Sequence, residues 1–202
     1  MKTLELLFLN LIYRKEYLVL ALNKRKNISM NDTFEKSLLF DNENERLAKL
    51  YSYNIMNTYA QSGTFKHVAC MAAHIFKVPI AAVNFVGKKI VLTNTGIGVD
   101  GYDKVFREIS LCSLAILQKE VTVFENAKEE PCLLGNPIVH GEFGLQFYAG
   151  APLKTVDGFN IGVIAIGDKK ARTFSEDEEH LLTGLAAIVM EELEEMQQSG
   201  CH

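Results

Sequence analysis

The chain has 202 residues, 48% of them hydrophobic and 23% charged, with 14 Gly, 4 Pro and no Trp, which excludes collagen-like, low-complexity and wholly disordered classes. A formal net charge of -4 argues against nucleic-acid binding through bulk charge, which depends on clustered Lys and Arg. Cys70, Cys112, Cys132 and Cys201 are too widely spaced for a disulfide scaffold and point to a reduced, cytoplasmic setting.

The charge is unevenly spread. Residues 1–29 hold six Lys/Arg and two Glu, a net of +4, which leaves -8 for residues 30–202. A signal peptide needs an unbroken apolar core, and here Glu5 and then Arg14-Lys15-Glu16 interrupt it. The run Leu6–Tyr13 falls far short of the roughly 20 residues that span a bilayer, so no membrane span is expected. The segment reads as an amphipathic surface or partner helix, as a docked element, or as an extension ahead of a start at Met30. The last is favoured, because composition and charge change there. The rest divides into one domain over 30–198 and a tail over 199–202.

Leu47, Leu50, Tyr51, Ile55 and Tyr59 recur at helical spacing and predict a helix over 43–60. Thr64 is placed to cap a second helix through Phe65, Val68, Met71, Ala72 and Ile75. Pro79 opens a strand over 80–86, and Lys88-Lys89 leads to another over 90–94. A loop marked by Gly96, Gly98 and Gly101 follows. Ser110–Gln118 predicts a short helix, 121–124 a short strand, and 125–144 mostly loop with one helical turn. Two strands, 145–155 and 159–167, are joined by Val156-Asp157-Gly158, a strong hairpin mark because Gly accepts positive φ. Ser175-Glu176-Asp177-Glu178 has the form of a capping box and opens a helix to about Gln198, with Leu182, Leu185, Val189, Leu193 and Met196 on one stripe. Its first half is assigned to the sheet and its second half to a subunit contact. The later strands lack crossover helices, so the pattern predicts an α+β fold with a mostly antiparallel sheet.

Several motifs occur in order: Ile109-Ser110-Leu111-Cys112-Ser113-Leu114-Ala115-Ile116, Asn136-Pro137-Ile138-Val139, Phe147-Tyr148-Ala149-Gly150-Ala151-Pro152-Leu153, Asp157-Gly158, Ile161–Ile166, Asp168-Lys169 and Phe174–Glu178. Over most of 45–197 the chain thereby resembles a GAF domain, the sensor fold related to PAS. Its most specific stretch resembles the subgroup found ahead of bacterial histidine kinases and diguanylate cyclases. The resemblance implies about six mostly antiparallel strands, with terminal helices on one face. It also implies a lid from 95–144 over a pocket on the other face, and homodimers through the terminal helices. Candidate pocket residues are Asn94, Cys112, Ile116, Asn136, Phe147, Tyr148, Gly150 and Ile164. Where relatives carry a second Cys this chain reads Gly162-Val163-Ile164-Ala165, and Asp168 replaces the Asn of the cyclic-nucleotide signature, so cyclic-nucleotide binding is not expected. No chromophore or other cofactor is expected.

Cys112 is weighed between a sensing thiol and a small buried hydrophobe. GAF-fold free methionine-(R)-sulfoxide reductases use a nucleophilic and a resolving thiol, and Cys112 with Cys132 would supply such a pair. His67, Cys70 and His74 share a helix face at i, i+3 and i+7, but lack a signalled fourth group for a metal, so a half-exposed helix edge is favoured. Glu191-Glu192-Leu193-Glu194-Glu195 reads as a solvated face with a hint of a partner, since four carboxylates crowd the negative end of the helix dipole. The leading expectation is a stand-alone, non-enzymatic sensor that binds an unidentified small molecule. It would signal in trans through a homodimer or a partner protein. The alternatives are the thiol reductase and a ligand-free protein-interaction domain.

Overall fold

The computed structural model describes residues 42–55 and 65–199. Helix α1 covers Glu43–Ser52 and α2 Lys66–Phe76. Strands β1 (Ile80–Val86), β2 (Ile90–Ile97) and β3 (Lys104–Phe106) follow. The middle segment supplies α3 (Cys112–Ala115), β4 (Thr122–Phe124), a 3-10 turn at Pro131–Leu133 and α4 (Pro137–His140). β5 (Phe147–Lys154), β6 (Asn160–Asp168) and α5 (Glu176–Ser199) complete the domain. The strands form one six-stranded sheet in the order β3-β2-β1-β6-β5-β4, and each neighbouring pair is antiparallel. The chain is α+β, as its pattern predicts.

Every residue of β1 is buried, as expected of a strand covered on both faces. Alternation then divides the side chains between two cores. Ala81, Val83, Phe85, Phe147, Ala149, Ala151, Leu153, Ile164 and Ile166 point to a layer built from α1, α2 and α5, where they meet Leu50, Val68, Leu182, Val189 and Leu193. Ile80, Val86, Tyr148, Val163 and Ala165 point the other way, into a smaller core closed by Leu111, Cys112, Ile116, Leu133, Val139 and Leu145. The segment between β3 and β5 is therefore a lid packed on the face opposite the long helices.

Local chemistry explains the boundaries. The helix predicted over 43–60 stops at Ser52, and Asn54 takes a left-handed backbone at φ 53°, which Asn tolerates better than most residues. The rest of that prediction, the Thr64 cap, residues 1–29 and the tail from Gly200 lie outside the described residues. The β5–β6 hairpin closes as a three-residue loop: Gly158 N–H donates to Thr155 O, Thr155 N–H donates to Phe159 O, and Gly158 sits at φ 88°. This is a turn followed by a left-handed glycine, so only the second residue of Asp157-Gly158 needs positive φ. The capping box forms in full, with Glu178 N–H donating to Ser175 Oγ at 3.3 Å and Ser175 N–H to Glu178 Oε2 at 2.9 Å. Strand β3 was hidden in the glycine-marked loop, because its residues Lys104 and Phe106 are exposed and carry no core signal.

On α5, Leu182, Leu185, Val189 and Leu193 are all buried within the chain, while Met196 at the end of the stripe is exposed. Glu192 bonds His67 at 2.8 Å, and Glu194 accepts from the Tyr53 hydroxyl at 2.5 Å. Two carboxylates of the acidic run thus clip the end of α5 to α1 and α2. Burial, with the Glu194 carboxylate next, pushes the Tyr53 hydroxyl pKa well up. No helix among the described residues is long and apolar enough to cross a membrane.

Candidate functional site

The centre of the sheet carries its smallest side chains on the lid side. Ala82 on β1 lies opposite Ala165 on β6, which in turn lies opposite Gly150 on β5. The Tyr148 ring covers Gly150, while over Ala82 and Ala165 a cavity of about 80 Å³ remains beneath the lid. Its floor includes Ile80, Ala82, Asn84, Thr93, Ala165 and Gly167; its roof includes Val99, Leu111, Cys112, Ile138, Phe143 and Leu145. Tyr102 and Phe143, both half-buried, meet edge to face with ring centroids 4.6 Å apart at the rim.

Tyr148 and Cys112 form the wall of this cavity. The Tyr148 ring lies along β5 and brings its hydroxyl within 3.5 Å of Cys112 Sγ, to which it donates. Gly150 makes this possible: a Cβ there would stand 2.4 Å from Tyr148 Oη. Burial pushes the Cys112 thiol pKa up, against the opposing hydrogen bonds from Tyr148 and Ser110. Burial also drives the Tyr148 hydroxyl well above its ordinary value, with Cys112 reinforcing the effect. Both groups rest in their neutral forms.

Of the eight residues read from sequence, Cys112 and Tyr148 line the cavity. Phe147 and Ile164 are corrected: both point into the long-helix layer, because β5 and β6 alternate and their lid-facing positions are Tyr148, Val163 and Ala165. Gly150 sits beneath the Tyr148 ring instead of facing the cavity, and Ile116 packs in the lid core beyond it. Asn136 is an internal brace: its Oδ1 accepts from Ile138 N–H at 2.9 Å and its Nδ2 donates to Ile109 O at 2.8 Å, tying two parts of the lid. The Asn94 side chain lies outside the described residues. Sequence reasoning missed Ala82, Asn84, Thr93 and Ala165. Asn84 did leave a signal, as a polar residue inside the apolar run Ile80–Val86.

The thiols separate. Cys112 is buried under the lid, Cys132 is exposed on the 3-10 turn, and neither is in a disulfide. The face holding His67, Cys70 and His74 is exposed, and no metal-holding group of three His, Cys, Asp or Glu occurs among the described residues.

Sequence reasoning also missed a buried ionic cluster beside the sheet. Glu43, in the first turn of α1, accepts from Arg46 at 2.8 and 2.9 Å and from Arg107 at 2.5 Å. Arg46 is fully buried and also donates to Val86 O at 2.8 Å and Asn160 O at 3.4 Å; Arg107 donates to Gly87 O at 3.2 Å. Burial alone would raise the Glu43 pKa, but the bonds and charges of Arg46 and Arg107 outweigh it, and the net shift is downward.

A model of the GAF domain matches residues 62–193, the range that holds the sheet, the lid and most of α5. This chain belongs to the GAF domain family. It is 30% identical over 151 residues to a cyclic di-GMP phosphodiesterase of Pseudomonas aeruginosa, a match that takes in 74% of this chain. The chain spans 25% of that relative's length. Among solved structures, the GAF domain of a phosphoenolpyruvate-protein phosphotransferase from Coxiella burnetii aligns with a TM-score of 0.58 at 16% identity, covering 78% of this chain and 96% of that one. A type II free methionine-R-sulfoxide reductase from Thermoplasma acidophilum aligns with a TM-score of 0.55 at 20% identity, covering 68% of this chain and 94% of that one. The reductase from Neisseria meningitidis, solved with its substrate, gives 0.55 at 16%, covering 86% and 97%. At these identities the likeness is one of fold. GAF folds carry binding and catalysis alike, so the site decides the reading.

Proposed function

We propose that this GAF domain is a sensor module that binds a small molecule between its sheet and its lid. The observation that carries the reading is the half-open cavity over Ala82 and Ala165, walled by Tyr148 and Cys112 and flanked by aromatic side chains at its rim. Concave, mostly apolar space with a few convergent polar groups is the usual form of a ligand site. The name of the Pseudomonas relative describes a phosphodiesterase of cyclic di-GMP. That activity belongs to a protein four times the matched length. The thiol-reductase alternative requires a reactive thiolate. Burial keeps Cys112 protonated, which favours binding over that chemistry.

Thermal-shift and ligand-observed NMR screening of the wild-type chain against Ala165→Leu tests the reading. Ligands that stabilise the wild type and lose their effect in the filled variant support it. A library in which every stabilising ligand acts equally on both proteins overturns it.

Signalling would pass through a homodimer of the terminal helices. Support comes from an outward apolar strip of Ile75, Leu181 and Ile188, on which Gly184 leaves open space for close helix approach. Light scattering on wild type and Ile188→Glu checks this: the dimer mass falls to that of a monomer, and an unchanged mass refutes the interface.

A further inference from the structure

The lining of the lid cavity contains no Asp, Glu, Lys, Arg or His. An ion placed there would shed its hydration with no countercharge to replace it, and an unpaired buried charge is strongly disfavoured. The space is also small. At about 80 Å³ it is roughly half the ~150 Å³ of a dry engineered cavity that admits benzene, so its sheltered part takes no more than a single ring, and that only with lid movement.

The polar groups of the cavity are not equivalent. Tyr148 spends its hydroxyl on Cys112 Sγ, so that donor is internally satisfied. Asn84 is different. Its Nδ2 donates to Ala82 O at 3.2 Å and Val163 O at 3.4 Å, which leaves its Oδ1 as an acceptor toward the cavity that the residue lines. Asn84 falls between the β1–β2 pairs Val83↔Thr95 and Phe85↔Leu92, where the register shifts and sets it opposite residues 93–94. Thr93, buried at 7% exposure, lines the same end of the cavity with a hydroxyl. Regular pleating puts Asn84 on the lid side with Ile80 and Ala82, and the bulge sets residues 93–94 across from it.

We propose that the cavity selects a small uncharged molecule, mostly apolar and no larger than one ring, whose single N–H or O–H donor is read by Asn84 Oδ1 with Thr93 beside it. This rests on the ligand-binding reading above. Ions, including phosphate-bearing nucleotides, are excluded by the uncharged lining and by size.

The test uses four single-ring probes, benzene, phenol, benzoate and benzylammonium, titrated at pH 7 into the full chain, with benzamide and benzyl alcohol as uncharged size matches for the last two. Chemical-shift perturbation on the protein gives each dissociation constant. Phenol binds at least tenfold more tightly than benzoate and benzylammonium, and several-fold more tightly than benzene. Thr93→Val with Asn84→Ala erases the margin of phenol over benzene without abolishing benzene binding. Ala165→Leu, with Val99→Phe as a second filled form should the first fail to fold, abolishes all binding. Charged probes binding as well as phenol in the wild type, with loss in the filled forms, overturn the ligand class and leave the cavity reading intact. Phenol binding no better than benzene overturns the Asn84 assignment. Saturation by none of the four, or binding that survives filling, overturns the ligand-binding reading itself.

Discussion

Replacing Glu43 by Gln is the sharpest probe of the fold. The carboxylate serves two guanidinium groups at once, Arg46 with no solvent exposure and Arg107 with 4%, so its loss strands two buried cations. Breaking a buried ion pair from one side costs about 3–5 kcal/mol, because the remaining charge stays uncompensated. Here backbone carbonyls of Val86, Gly87 and Asn160 still accept from the two arginines, and the Gln amide keeps one oxygen in place, which puts Glu43→Gln near the lower end, about 3 kcal/mol. For a domain of this size each kcal/mol moves Tm by about 2–4 °C, so the expected fall is about 6–12 °C by calorimetry at pH 7. The pH dependence supplies an independent check. Glu43 is depressed in the folded state, so its contribution is complete above its unfolded pKa near 4.3 and is lost as pH falls through the lower folded value. The wild type therefore loses this contribution below about pH 4, and Glu43→Gln shows a correspondingly flatter acid limb. A Tm change under about 2 °C, with parallel acid limbs, refutes the argument.

Gly150→Ala drives a methyl into the Tyr148 hydroxyl, displaces the ring and costs about 1–3 kcal/mol in urea unfolding, as overpacking does. Ser175→Ala removes the acceptor for Glu178 N–H and lowers stability by about 1 kcal/mol, read as a small Tm shift with unchanged circular dichroism. In a native iodoacetamide time course at pH 7.5, Cys70 and Cys132 are alkylated well before Cys112, and urea abolishes the difference. Equal native rates contradict the buried, protonated state of Cys112.

The fold was largely legible because its signals are local. The Asp157-Gly158 loop, the Ser175–Glu178 box and the continuous apolar runs of β1, β5 and β6 each depend on a few adjacent residues. The site was less legible, for a geometric reason. In β5 and β6 both faces are buried, so hydrophobicity does not say which residue faces the helices and which the lid; Phe147 and Ile164 fell on the wrong side of that ambiguity. Ala82 and Ala165 matter by being small, and an absent side chain announces nothing until its neighbours are known. The Glu43–Arg46–Arg107 cluster joins residues 64 positions apart, and each reads alone as an ordinary surface charge.

The sheet separates two cores of unequal construction. One is held by helices of 10, 11 and 24 residues, the other by helices of four residues, a 3-10 turn and loops. Segments with little internal hydrogen bonding open at lower free energy than long packed helices. Amides of the lid therefore exchange with deuterium ahead of those in α5 and β1. The domain thus pairs a rigid half that holds its shape with a half built to yield first.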